Sequence, residues 1–191
     1  MKWLYATKDT YSPRQLQEVA RQLTPSRKER IFRLCQEADR ARSLAAELLL
    51  RQLLTELGAD PAVHCNQLGQ PYTESGLFVS IAHSGEHIVC AAGDKPVGID
   101  IEEIRPMNLA ITRHVCTTDE NQYLFGRDPR PEDLGFCQDP EILTRFFEIW
   151  TGKEAWFKQQ GTGIRDLKSI SILPLPRQVI QKEGCIITIY E

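Results

Sequence analysis

The segment Phe146-Phe147-Glu148-Ile149-Trp150-Thr151-Gly152-Lys153-Glu154-Ala155-Trp156-Phe157-Lys158 constrains the fold more than any other stretch of this chain. It carries five aromatic rings. A helix lying on a protein surface has one apolar stripe to bury, so this one must pack on two or more sides. Its ends are marked as well. Asp139-Pro140 offers a side-chain cap and a proline for the first turn, and Gly161 stops the helix after Gln160. Trp150, Glu154 and Lys158 recur every four residues and share one line, with Lys153 beside it. On an open surface a Glu–Lys pair at this spacing contributes only about 0.2–0.5 kcal/mol. That value accounts for the pair but not for its place among aromatic rings. There, Glu154 can supply a metal ligand or a general base, and Lys153 and Lys158 can hold phosphate oxygens or a leaving group.

The first half of the chain has a parallel plan. Trp3 to Ala6 reads as a strand. Ser12-Pro13 with Gln15 starts a helix that runs to about Leu23, and Thr24-Pro25 opens a charged helical segment through Arg33. A longer helix covers about Asp39 to Leu57, with Leu44, Leu48, Leu50 and Leu54 giving the helical period and Gly58 ending it. Residues 59–76 are mostly loop. Leu77–Ile81, Ile88–Ala92 and Val97–Ile101 are apolar runs separated by turn signals, which predicts neighbouring antiparallel strands. Beyond Arg105-Pro106 come a helical stretch at Leu109–Val115, a helix at Glu120–Phe125 capped by Thr118, a polar loop over 126–139, the aromatic helix, and strands at Ser169–Leu173 and Cys185–Tyr190. Long helix plus strands thus occurs twice. The expectation is an α+β protein with a pseudo-twofold arrangement of two similar halves, 1–105 and 106–191. Each half would carry a long helix on a small, mostly antiparallel sheet, with a cleft between them.

Gly98-Ile99-Asp100-Ile101-Glu102 closes the first half. In a strand, side chains two apart share a face, so Asp100 and Glu102 point together while Ile99 and Ile101 enter the opposite layer. Gly98 leaves room beside the carboxylates. Two such groups repel unless solvent, donors or a cation separate them, and magnesium commonly takes one or two carboxylates plus phosphates and waters. Read alone, the pattern suits solvated surface as well as it suits metal.

Charge sharpens this. Residues 1–60 hold eleven Lys/Arg against eight Asp/Glu, whereas 94–141 hold five against eleven. A basic region beside an acidic one suits a phosphorylated ligand held partly through metal. Arg27, Lys28, Arg30, Arg40 and Arg42 are the candidate anion contacts, and His83 sits in a turn where it can meet a ligand. The net charge of only -3 argues against a dedicated nucleic-acid binder. The six cysteines form neither a CxxC nor a disulfide framework, and His83, His87 and Cys90 lack a fourth neighbour for zinc. With no signal-peptide pattern and no apolar run of membrane-spanning length, a cytoplasmic protein with reduced thiols is expected.

Together these segments resemble the 4'-phosphopantetheinyl transferases, specifically the surfactin-synthetase-activating (Sfp) type. The residues that carry the resemblance are Gly98 to Glu102, Trp150-Thr151-Gly152-Lys153-Glu154-Ala155 with Lys158, Gly161-Thr162-Gly163, and Ser80-Ile81-Ala82-His83-Ser84-Gly85 upstream. Arg40 to Leu54 is similar to the family's long N-terminal helix. The resemblance implies a monomer that moves the 4'-phosphopantetheine group of coenzyme A onto a serine of an apo acyl or peptidyl carrier protein, in fatty-acid, polyketide or peptide-synthetase systems. Neither nucleic acid nor membrane enters this activity. It implies that Asp100, Glu102 and Glu154 hold magnesium, with Glu154 also the candidate base. Lys158 would neutralise the pyrophosphate and Lys153 would stand near it. Arg27, Arg30, Arg42, His83 and Ser84 would contact the nucleotide, and residues around 109–125 would meet the carrier. A coenzyme A- or carrier-binding relative without activity would lack the carboxylates or Lys158, and all are present here. An unrelated magnesium phosphohydrolase would need a positioned water or its own nucleophile. The sequence departs from the family pattern at Gln70, where lysine is common, and at Ala82, where serine is common. It also ends at Glu191, where members of this type usually continue into another strand. The expectation is either a compact member or an incomplete C-terminus, with an exposed edge in the second sheet.

Overall fold

A computed structural model describes residues 1–163 and 165–191. In chain order the elements are β1 (Lys2–Thr7), α1 (Pro13–Gln22), α2 (Pro25–Phe32), α3 (Glu37–Glu56), β2 (His64–Cys65), β3 (Pro71–Tyr72), β4 (Phe78–Ser84), β5 (His87–Gly93) and β6 (Gly98–Glu103). They continue with β7 (Met107–Asn108), α4 (Thr112–Val115), α5 (Thr118–Phe125), β8 (Phe136–Cys137), α6 (Pro140–Gln160), β9 (Gln178–Lys182) and β10 (Cys185–Tyr190). Some capping signals act at the expected residues and others do not: the cap of α5 is Thr117, in a reciprocal box with Glu120, rather than Thr118, and Thr24 donates to the Val63 carbonyl instead of capping α2. Ser12 and Gln15 form a reciprocal box at α1. Asp139 accepts from the Glu141 and Ile142 amides at the start of α6. Gly161 ends α6 in the left-handed conformation, φ 67°.

Two similar lobes result. The antiparallel sheet β1-β5-β4 carries α3 on one face, and the antiparallel sheet β6-β10-β9 carries α6 on one face. Period-two alternation explains the layering. On β5, Ile88, Cys90 and Ala92 pack with the α3 leucines, while Val89 and Ala91 turn to the middle layer. There they meet Ile99 and Ile101 of β6 and Ile187 and Ile189 of β10, so one apolar layer joins the two sheets. Gly98, Asp100 and Glu102 are thereby left on the face toward α6. At Gly98 the strand and the helix nearly touch: a Cβ there would lie 1.9 Å from the Ala155 carbonyl oxygen. Gly98→Ala should therefore destabilise the protein by about 1–3 kcal/mol or more, read from urea unfolding, because neither backbone can yield without separating β6 from α6.

Four further expectations need correction. His83, expected in a turn, lies inside β4 and pairs with Ile88 of β5, because the turn is confined to Gly85-Glu86. Val97–Ile101 was expected to neighbour Ile88–Ala92; instead β6 leaves the first sheet and pairs antiparallel with β10. Its turn signal is local, but its partner lies at the other end of the chain. No strand forms at Ser169–Leu173. Leu167–Ser169 is a 3-10 turn, and the second sheet takes β9 as its edge. The reason is that this segment's backbone is already satisfied: Lys153 donates to the Leu167 and Ile170 carbonyls, and Glu120 accepts from the Ile172 amide. Leu109–Val115 is a 3-10 turn followed by the single-turn α4 rather than one helix.

Candidate active site

β6 and α6 present their acidic and basic side chains to one another, and α2, α3 and β4 close the space. A cavity of about 500 Å³ results, lined by Arg27 and Arg30 of α2, Asp39 and Ser43 of α3, Ala82 and His83 of β4, Asp100 and Glu102 of β6, and Glu154 and Lys158 of α6. The line of Glu154 and Lys158 along α6 and the shared face of Asp100 and Glu102 thus open into the same cavity. A second cavity of about 740 Å³ adjoins it through Arg30, Gly69, Pro71, Ile81 and Lys158, and is walled by Leu68, Gln70, Phe78, Val79 and Val97. Gln70, one of the departures from the family pattern, lies in this second space.

At the centre, Lys158 Nζ donates to Asp100 Oδ1 at 2.6 Å and to the Ile99 carbonyl at 3.3 Å. Asp100 is only 3% exposed, and its Oδ2 has no partner among the described residues. Burial pushes its carboxyl up to about 8; Lys158 opposes this, and the charges of Glu154 and Glu102 add to it. Glu154 is raised too, first by burial, with Lys158 opposing and Glu102 adding. Burial and their mutual repulsion together raise these carboxylates, with Lys158 the cation that opposes it. Glu102 receives the Ser84 hydroxyl at 2.6 Å and lies 3.6 Å from Arg105.

Among the described residues, no group of three or more His, Cys, Asp or Glu side chains is drawn together into a metal-binding cluster. The donor set still fits a hard cation that completes its shell elsewhere. Magnesium uses one or two carboxylates and takes its other ligands from phosphate and water, and an unpartnered buried carboxylate oxygen at Asp100 is what such an ion would satisfy.

The other predicted residues separate into groups. Arg30 reaches both cavities. Arg27 lines the first but is buried and clamped, donating to Glu47 Oε2 at 2.8 Å and to Cys65 Sγ at 3.3 Å. Arg42 pairs with Asp39 and donates to the Gly85 carbonyl at 3.5 Å, just outside the cavity lining. Ser84 turns to Glu102 and to the Glu103 amide. Lys153 is not in the cavity. It is wholly buried, 2.6 Å from Glu120, with the Leu167 and Ile170 carbonyls completing its shell. Sequence reasoning also missed Glu47, fully buried and holding Arg27 and Arg51. The available signal was a lone carboxylate inside the leucine-rich face of α3.

His83 keeps an exposed edge, yet the cleft strips much of its hydration, and Arg42 and Lys158 add positive charge nearby. Its pKa is lowered from 6.5, with burial the first cause. Because the folded value lies below the unfolded one, the linked stability is present above about pH 6.5 and lost as pH falls through the lowered value. An NMR titration should place the His83 midpoint below 6.5, rising when a phosphate-bearing ligand enters the cavity.

Comparison with known proteins gives the chain its family. The profile of the 4'-phosphopantetheinyl transferase superfamily matches residues 96–188, which include both β6 and α6. The 4'-phosphopantetheinyl transferase HetI of a Nostoc species is 30% identical over 177 residues, covering 86% of this chain and 70% of that relative. The 4'-phosphopantetheinyl transferase AcpT of Salmonella typhimurium is 31% identical over 148 residues, covering 74% and 70%. The chain belongs to the 4'-phosphopantetheinyl transferase family. It is also 33% identical over 130 residues to the 4'-phosphopantetheinyl transferase gsp of Aneurinibacillus migulanus, covering 66% of this chain but spanning about half, 51%, of that relative's length.

Proposed function

We propose that this chain is a magnesium-dependent transferase of the surfactin-synthetase-activating type. It moves 4'-phosphopantetheine from coenzyme A to a serine of an apo acyl or peptidyl carrier protein and releases adenosine 3',5'-bisphosphate. The observation that carries this reading is the single cavity in which Asp100, Glu102 and Glu154 face Lys158, Arg30 and His83. Carboxylates alone would repel a pyrophosphate, and basic groups alone would not need them; the combination suits a polyphosphate bridged by a cation.

Asp100, Glu102 and Glu154 would hold magnesium, which when bound supplies Lewis-acid polarisation of the pyrophosphate oxygens. Lys158 swings its ammonium from Asp100 toward the phosphates and stabilises charge on the leaving group. Arg30 and His83, with Arg27 and Arg42 behind them, hold the nucleotide's phosphate. The carrier's serine oxygen forms a new bond to the phosphorus that bears pantetheine. The phosphorus–oxygen bond to the adenosine 5'-phosphate breaks, and the serine proton passes to Glu154 directly or through one water. No nucleophile of the enzyme's own is required, which leaves Ser84 and the cysteines outside the chemistry.

In this reading the cleft runs between the lobe of β1-β5-β4 with α3 and the lobe of β6-β10-β9 with α6, so β6 joins residues 106–191 rather than the half 1–105; the surface around 109–125 meets the carrier, and the protein acts as a cytoplasmic monomer. No described helix is long and apolar enough to cross a membrane. Equilibrium binding tests the donor assignment: coenzyme A should bind more tightly with magnesium than with EDTA. Absence of any binding in either condition would contradict it.

A further inference from the structure

β4 and β6 belong to different sheets and share no ladder of backbone hydrogen bonds, yet they run side by side where the two lobes meet. Two buried serines stitch this seam. Ser80 Oγ accepts from the Ile99 amide at 3.1 Å, and Ser84 Oγ accepts from the Glu103 amide at 3.3 Å. Positions 80, 82 and 84 share one side of the strand, so the two hydroxyls flank Ala82 and bracket the acidic run at both ends. They differ in one respect. Ser84 also donates to Glu102 Oε2 at 2.6 Å, whereas Ser80 touches no carboxylate among the described residues. A serine hydroxyl has a single hydrogen to donate. Given to Glu102, it is not available to a ligand.

We infer that Ser84 is a positioning residue: its hydroxyl fixes the rotamer of Glu102 so that the other carboxylate oxygen is presented to the cation. This inference rests on the magnesium-dependent reading above and assigns Ser84 a role toward the metal through Glu102, in place of a contact with the nucleotide. Groups that orient a ligating carboxylate typically change metal affinity 10–100-fold when removed. Ser80 is the internal control, because it makes the same kind of seam bond without a carboxylate.

The test uses manganese as the probe, with free ion followed by electron paramagnetic resonance in the presence of coenzyme A. Ser84→Ala should weaken manganese binding about 10-fold or more, while Ser80→Ala should shift it less than about threefold, since it removes no contact to a ligand group. Coenzyme A affinity in EDTA should be unchanged by Ser84→Ala. The isosteric pair Ser84→Thr and Ser84→Val separates hydroxyl from bulk if the alanine variant folds poorly: threonine should retain manganese affinity and valine should lose it. Equal losses for Ser80→Ala and Ser84→Ala, unchanged manganese binding in Ser84→Ala, equal affinity in the Thr and Val variants, or a fall in coenzyme A affinity in EDTA would each overturn the inference. Wild-type protein that binds coenzyme A but takes up no manganese would overturn the metal-dependent reading beneath it.

Discussion

Glu154→Gln should lower carrier modification by about 10²–10⁴-fold while leaving the protein folded. The substitution is isosteric, so the packing of α6 against β6 is kept. It removes the proposed proton acceptor and one cation ligand together. Its effect on stability runs the other way from its effect on activity. The folded-state pKa of Glu154 is raised above 4.5, chiefly by burial. The favourable contribution of the protonated form is therefore present below about pH 4.5 and lost as pH rises through the raised value. Glutamine carries no such penalty, so the variant should be as stable as the parent in acid and more stable at neutral pH. Coenzyme A binding in EDTA should be retained or strengthened, because a negative charge has left the cavity. Activity within threefold of the parent would remove Glu154 from the mechanism.

Lys153→Met should cost about 3–5 kcal/mol of folding stability, the usual consequence of removing one partner of a buried ion pair. That is a large share of the roughly 5–15 kcal/mol that holds a domain together. Lys153 and Glu120 are both fully buried, 2.6 Å apart. Glu120 also accepts from the Thr117 and Ile172 amides, and Lys153 donates to two carbonyls of the segment after α6. The pair thus ties α5, α6 and residues 167–172 into one unit. Without the lysine, the Glu120 charge stays buried with backbone donors alone. The double variant Lys153→Met/Glu120→Gln should recover a substantial part of the loss in urea unfolding. A stable Lys153→Met protein with weakened coenzyme A binding would instead mean that this lysine turns toward the ligand.

Lys153 also marks where reading the sequence stops working. Its position on α6, one residue from Glu154, is fixed by helical period. That period places it beside the Glu154–Lys158 line but does not say which neighbour covers it. Glu120, thirty-three positions earlier in the chain, decides that, and no local signal links the two. The same limit explains β6. Its alternation correctly sends Ile99 and Ile101 inward and Asp100 and Glu102 toward α6, but the identity of its partner strand is a long-range fact. Ser169–Leu173 failed because side chains, not a neighbouring strand, satisfy its backbone. Local chemistry was far more legible. Proline and aspartate mark the start of α6, glycine marks its end, and the bare Cα of Gly98 marks where strand and helix touch. The periods of strand and helix set Asp100 with Glu102 on one face and Glu154 with Lys158 on another; that the two faces meet was implied only by the family resemblance. The arginine behind them needed Glu47 and Cys65 to hold it, and those contacts emerge only when α2, α3 and β2 fold together.

The central claim is group transfer, and intact mass spectrometry of a carrier reads it directly. Apo carrier proteins of fatty-acid, polyketide and peptide-synthetase origin, incubated with this protein, coenzyme A and magnesium, should include at least one that gains the mass of a single phosphopantetheine group at its serine. The gain should disappear with EDTA. If every carrier in the panel kept its apo mass, while folded protein was present and a control transferase loaded the same samples, the account would be contradicted.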